Sequence, residues 1–185
     1  MEENKSNALG AVKPRMTFGE AVKTCLKKYA DFKGRARRSE YWFFYLFYIV
    51  LMLGVSFLFG IVGAFTSIGD TIGSVVTVLL SLALVLPLAA AQFRRLHDVG
   101  ISGWWLGSYW ILSLVMVALF VYVVAQTAVG GEDAMYGFLM DHLLLCVALL
   151  ALMGIVLVWN IVMIVFTVFD SKPEVNKYGA SPKYE

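Results

Sequence analysis

All fifteen Lys and Arg residues of this chain lie in three blocks, and the stretches between the blocks are long and apolar. The first block runs from Lys5 to Arg38, the second is the pair Arg94-Arg95, and the third is Lys172, Lys177 and Lys183. Residues 39–93 and 96–171 hold no basic residue. A chain threaded through a bilayer has this pattern, because cationic loops stay on the cytoplasmic side while segments without them cross. The apolar content of 60% agrees, since a soluble domain of this length would be nearer half. Inside lipid every backbone group must find an internal partner, so such a chain is confined to helices or a closed barrel.

A transmembrane helix needs roughly 20 apolar residues. The 55-residue gap therefore accommodates two helices and a turn, and the 76-residue gap two helices and a longer loop. The spans are expected near 41–65, 72–93, 104–126 and 143–169. Gly69-Asp70 with Gly73 mark the first turn, and Gly130-Gly131-Glu132-Asp133 mark the second loop. Both are acidic and free of cations, as outside loops should be. Four spans keep all three basic blocks on one side, whereas three or five would export the lysine-bearing tail. The expected fold is an all-α membrane protein, with four transmembrane helices and a cytoplasmic amphipathic N-terminal helix. Tyr41 to Tyr45 and Trp104, Trp105, Tyr109 and Trp110 would sit at the inner headgroup level, where amphipathic rings collect.

Residues 1–40 form a cytoplasmic basic arm with ten of the fifteen cations. Each is worth about 1 kcal/mol near an anionic leaflet, and with a membrane beside it the arm is not expected to bind nucleic acid. Thr17 and Glu20 have the spacing of a capping box. Phe18, Val22, Cys25, Leu26 and Tyr29 recur at helical spacing, which predicts an amphipathic helix over 17–30. It would lie on the membrane surface or pack on the inner loops. Residues 1–16 are expected to lack order, and 171–185 form a cytoplasmic tail. No apolar run comes close behind Met1-Glu2-Glu3-Asn4, so no cleavable signal is expected. Cys25 and Cys146 fall far apart and on different sides, which predicts no disulfide.

Polar chemistry concentrates in two segments. One is Gly34-Arg35-Ala36-Arg37-Arg38-Ser39-Glu40-Tyr41-Trp42, and the other is Arg94-Arg95-Leu96-His97-Asp98-Val99-Gly100-Ile101-Ser102-Gly103-Trp104-Trp105. Together with Asn176, Tyr178, Gly179 and Pro182 in the tail, they resemble the bacterial inner-membrane family known as domain of unknown function 805. The resemblance covers about residues 18–182. It implies a plasma-membrane (inner-membrane) placement and no established activity, while the four spans and the three basic blocks predict a multi-pass chain with both termini cytoplasmic. Two departures stand out: the third span runs from Leu106 to Gln126 without the proline usual in the family, and no Gly precedes Asn176.

Topology alone would bring both segments to one interface. Two readings of the charges there stay open. In one, Glu40, Asp98 and Asp170 form structural ion pairs with the arginines. In the other, the surplus among Arg35, Arg37, Arg38, Arg94, Arg95 and His97 binds a phosphate headgroup or an acidic protein partner, with arginine as a bidentate clamp. His97, Asp98 and Ser102 have the residue types of a hydrolase triad, but neighbouring His and Asp side chains diverge on most backbones, so no catalytic set is assigned. A metal would need more ligands than this segment supplies, and none is expected, nor is a cofactor.

Within the spans Gln92, Gln126 and Asn160 are the strong hydrogen-bonding groups, expected to bridge helices. Pro87 should kink the second span. No ionisable residue falls clearly at the midplane, which argues against a coupled transporter. The leading expectation is a non-enzymatic membrane protein whose basic face meets anionic phospholipid or a protein partner. A small oligomeric transporter or channel is the alternative, and a membrane enzyme acting on a lipid phosphate the third.

Overall fold

The computed structural model describes residues 12–128 and 131–184. Apart from two isolated bridges, every regular element among them is a helix. These are α1 (Phe18–Lys27), α2 (Arg38–Gly63), α3 (Ser67–Asp98), α4 (Trp104–Thr127), α5 (Gly131–Asp141) and α6 (Leu143–Val168). Four of them, α2, α3, α4 and α6, are long and apolar enough to cross a bilayer. The chain divides into two units, Met1–Gly103 with Thr167–Glu185, and Trp104–Phe166.

The first unit is a helical hairpin, α2 and α3, with α1 laid against it. Thr17 caps α1, accepting from the Glu20 amide while the Glu20 carboxylate accepts from the Thr17 amide. The Thr17 amide, then the Thr17 hydroxyl, stabilise the charged Glu20 carboxylate and hold it below the usual carboxylate range. Ala21 and Cys25 face inward from α1. Cys25 joins a core with Tyr41, Phe44, Leu84 and Ala91, flanked by Val22, Phe47 and Leu88. Ala89, Ala90 and Ala91 are buried, and small side chains of this kind let backbones approach closely. At the α2–α3 turn Gly69 lies so close to α2 that a Cβ there would stand 2.8 Å from the Val62 carbonyl carbon.

Outward-facing residues of α2 and α3 are apolar and open: Leu53, Phe57, Leu79 and Leu82 are all at least 60% exposed. Large exposed apolar faces on a water-soluble unit would be a liability. On spans they are the lipid-facing walls. The 32 residues of α3 reach about 48 Å at 1.5 Å per residue, against a hydrocarbon core of about 30 Å. The surplus of about 18 Å, roughly three turns, lets the polar C-terminal end of α3 stand clear of the lipid.

Two expectations are amended. The second loop was expected to be irregular, yet α5 occupies Gly131–Asp141. Past the Gly and acidic residues the segment Ala134-Met135-Tyr136-Gly137-Phe138-Leu139-Met140 contains good helix formers and no proline, so the turn signal stops short of it. Gly130, named in that turn, lies outside the described residues. Residues 12–16, expected to lack order, run beside the tail: Val12 bridges Tyr184 and the Lys13 amide donates to the Lys183 carbonyl at 2.9 Å. Residues 1–11 lie outside the described residues. α3 continues through Pro87 as one helix.

Candidate functional site

The charged end of the first unit is organised by the last turn of α3. That helix closes on Gly100, at φ +85°, with the Gly100 amide bonded to the His97 carbonyl and the Ile101 amide to the Leu96 carbonyl. This is the paired closure that glycine permits at a helix end. It leaves Arg94, Arg95 and Asp98 fully buried beneath it.

Arg94 and Arg95 are neighbours on α3 and serve two different helices. Arg94 donates to the Glu40 carboxylate at 3.0 Å, to the Lys28 carbonyl at 3.3 Å and to the Asp31 carbonyl. Lys28 is the C-terminal cap of α1, so Arg94 satisfies a carbonyl that the helix itself leaves open. Arg95 does the same for α6, donating to the carbonyls of Thr167 at 3.1 Å and of Phe169. Trp42 and Arg38 add donors to the carbonyls of Thr167 and Val168, each at 3.2 Å.

Asp98 is the anionic centre. It accepts from Arg35 Nε at 2.9 Å, from Arg95 Nη1 and from the Ser171 hydroxyl. Arg35 then holds the tail through the carbonyls of Lys172, Glu174 (2.8 Å) and Gly179 (3.2 Å). The fold itself thus supplies the partners of these buried charges. Replacing such a pair by apolar groups is often neutral, but removing one member leaves an unpaired buried charge at about 3–5 kcal/mol.

The tail docks on the same turn. Asn176 and Gly179 bond each other through their backbones, and the Asn176 side chain accepts from the Tyr178 amide at 2.8 Å. This turn stacks the Tyr178 ring on His97, with centroids 3.7 Å apart and planes 6° from parallel. Asn176 Nδ2 donates to the His97 carbonyl at 2.9 Å, and His97 Nδ1 lies 3.2 Å from the Gly34 carbonyl. A ring stacked on one face and pinned at one nitrogen is a packing group, consistent with its 9% exposure. The residue types of a triad are therefore not arranged as a relay. His97 Nδ1 addresses Gly34, while Asp98 is engaged by Arg35, Arg95 and Ser171.

The structure separates the six candidate cations. Arg35, Arg94, Arg95 and His97 turn inward, whereas Arg37 is half-buried and Arg38 exposed. Arg38 pairs with Asp170 at 3.1 Å, and Lys183 pairs with the same carboxylate at 2.7 Å. Burial pulls the Asp170 carboxyl upward, but the Lys183 and Ser171 hydrogen bonds and the Arg38 charge outweigh it, and it lies below the usual range. Arg37 donates to the Pro14 and Lys13 carbonyls at 2.6 and 2.9 Å. These groups surround an open cavity of about 510 Å³. Lys13, Arg15 and Lys183 belong to it and were not singled out from sequence, because their approach depends on the pairing of two chain segments 170 positions apart (Lys13 with Lys183).

Beneath Glu40 lies Cys25, its thiol 3.8 Å from the Glu40 carbonyl. Burial, then the Glu40 charge, pushes the thiol up to about 12, so it is an inert protonated group. Of the polar residues expected within spans, Gln92 is half-buried on α3 and Gln126 is exposed near the end of α4. In the second unit Asn160 Nδ2 donates to the Tyr109 hydroxyl at 3.0 Å, linking α6 to α4. Beside it the Trp159 ring stacks on Trp105 at 5.0 Å. Among the described residues no group of three or more His, Cys, Asp and Glu is arranged to hold a metal ion.

Residues 29–180 match the model of one family, described as Protein of unknown function (DUF805). Inner membrane protein YhaH of Escherichia coli K12 is 40% identical over 80 residues, 43% of this chain and 64% of that protein. The chain thus spans less than two thirds of that relative's length. Inner membrane protein YhaI of the same strain is 32% identical over 120 residues, 60% of this chain and 92% of that protein. No solved structure matches.

Proposed function

This chain belongs to the DUF805 family of proteins of unknown function, and we propose that it is a non-enzymatic inner-membrane protein whose cytoplasmic basic face binds anionic lipid headgroups. The orientation rests on the cation-free stretches of sequence, which put the charged end of the first unit inside. The placement in the inner membrane rests on the names of its relatives.

One observation carries the binding reading. Arg35, Arg94 and Arg95 are buried among carboxylates and helix ends. Arg37 is half-buried and Arg38 exposed on the cavity wall beside Trp42 and Phe43, even with their bonds to the Lys13 and Pro14 carbonyls and to Asp170. Cations next to interfacial aromatics are placed for the phosphate level of a bilayer. Lys23 and Lys27, exposed on α1, extend the same charge.

The test is native mass spectrometry of the full chain extracted in mild detergent, comparing wild type with Arg37→Gln/Arg38→Gln. Wild type should retain an anionic phospholipid that the variant loses while still unfolding in a cooperative thermal transition. Absence of retained lipid in both forms overturns the reading.

A further inference from the structure

We infer that the cavity beside Arg37 and Arg38 is a specific site for one lipid whose phosphate carries more than a single negative charge, such as a phosphomonoester. The inference rests on the lipid-binding reading above and makes it sharper. Lys13, Arg15, Arg37, Arg38 and Lys183 line the cavity, and Asp170 is the one carboxylate among its described lining residues. Five cations against one carboxylate leave four positive charges uncompensated there. A singly charged phosphodiester would leave most of that repulsion in place. A dianionic phosphate accepts more charge-assisted hydrogen bonds and neutralises more of it.

Two further features point the same way. α2 starts at this cavity, with Arg38 and Ser39 on its wall, and its N-cap residue Arg37 makes no side-chain bond to the first-turn amides. An uncapped helix start adds outward-facing N–H groups and a positive dipole end to the cation cluster. Below the cavity, Phe43 on its wall leads into Leu46, Val50, Leu53 and Phe57, spaced along one face of α2. The last four are between 48% and 70% exposed. That face is a lipid-facing track running directly from the phosphate position, which fits acyl chains and favours a lipid over a soluble phosphate.

The cavity also depends on the strap at residues 12–15. Lys13 and Arg15 reach it because the Lys13 amide bonds the Lys183 carbonyl and Arg37 grips the Lys13 and Pro14 carbonyls. Charge selection therefore resides in the strap, while Arg37 and Arg38 supply general headgroup attraction.

The full chain in mild detergent is titrated with phosphatidic acid, phosphatidylglycerol and inorganic pyrophosphate, read by native mass spectrometry, for wild type and Lys13→Gln/Arg15→Gln. Both substituted residues are exposed, and an unchanged melting temperature checks that the variant folds. Wild type should bind phosphatidic acid about tenfold more tightly than phosphatidylglycerol. The strap variant should lose that preference and keep its phosphatidylglycerol binding. Equal binding of the two lipids to wild type, or a preference that survives in the variant, overturns the inference while leaving general headgroup binding intact. Tighter binding of pyrophosphate than of phosphatidic acid overturns the lipid occupant. Failure of wild type to bind any of the lipids removes this inference and the proposed function together.

Discussion

The Tyr29 hydroxyl donates a hydrogen bond to the Ala83 carbonyl, the acceptor that Pro87 leaves open four residues further along α3. Proline has no N–H, so its position in a helix frees one carbonyl, and in a span that carbonyl has no water to turn to. The chain just beyond α1 supplies the donor. The proline and the position of α1 are thus one structural device. Tyr29→Phe should lower stability by about 1 kcal/mol. In a Pro87→Ala background, where the helix supplies its own amide, the same substitution should cost close to nothing. Unfolding of the four proteins by detergent titration measures the cycle, and an equal cost in both backgrounds would refute the coupling.

Asp98 is the residue whose loss should be most damaging. Asp98→Asn strips Arg35 and Arg95 of their carboxylate in a buried site and should cost about 3–5 kcal/mol. The tail, gripped by Arg35, should become protease-sensitive at the same time. Asp170→Asn breaks only half-exposed pairs with Arg38 and Lys183 and should change stability by less than about 1 kcal/mol. Limited proteolysis and thermal unfolding of the two variants separate the cases.

Cys25 provides a pH signature. Burial, then the Glu40 charge, raises its thiol from the ordinary 9.0 to about 12. The folded chain therefore favours the protonated thiol, while the unfolded chain releases the proton at lower pH. Its contribution is present below pH 9.0 and is lost as pH rises from there toward about 12. Cys25→Ala should flatten the decline in stability over that window. In a Cys146→Ala background, maleimide labelling of Cys25 near neutral pH should await unfolding. Rapid labelling of the folded protein would contradict its burial.

The Asn160–Tyr109 hydrogen bond should be worth about 1 kcal/mol, as polar bridges between spans are. Asn160→Leu and Tyr109→Phe should each reveal that amount, and the double variant should cost no more than one of them. Additive losses would mean that the two side chains act through other partners.

Much of this architecture was readable before any tertiary contact was known. The positions of Arg94-Arg95 and of the lysines in the tail define where hydrocarbon can and cannot lie, and Thr17 with Glu20 marks the start of α1. The helix α5 is not marked in the sequence, because Gly130-Gly131-Glu132-Asp133 signals a turn, and a turn signal says nothing of the conformation adopted by the residues beyond it. The roles of Arg35, Arg37 and Arg38 were not separable by sequence either. They stand within four positions of one another, yet Arg35 is buried against Asp98 while Arg38 is exposed.

That four helices are long and apolar enough to cross a bilayer was legible in sequence because a bilayer responds to local quantities, the length of an apolar run and the charges at its ends. Which cations remain available is a different kind of question. Arg35 meets Asp98 across 63 positions, Arg94 meets Glu40 across 54, and Arg95 meets Thr167 across 72. Charge neutralisation and the capping of helix ends act over a few ångströms in space, so only the folded chain determines which arginines are buried within it and which are exposed at its surface.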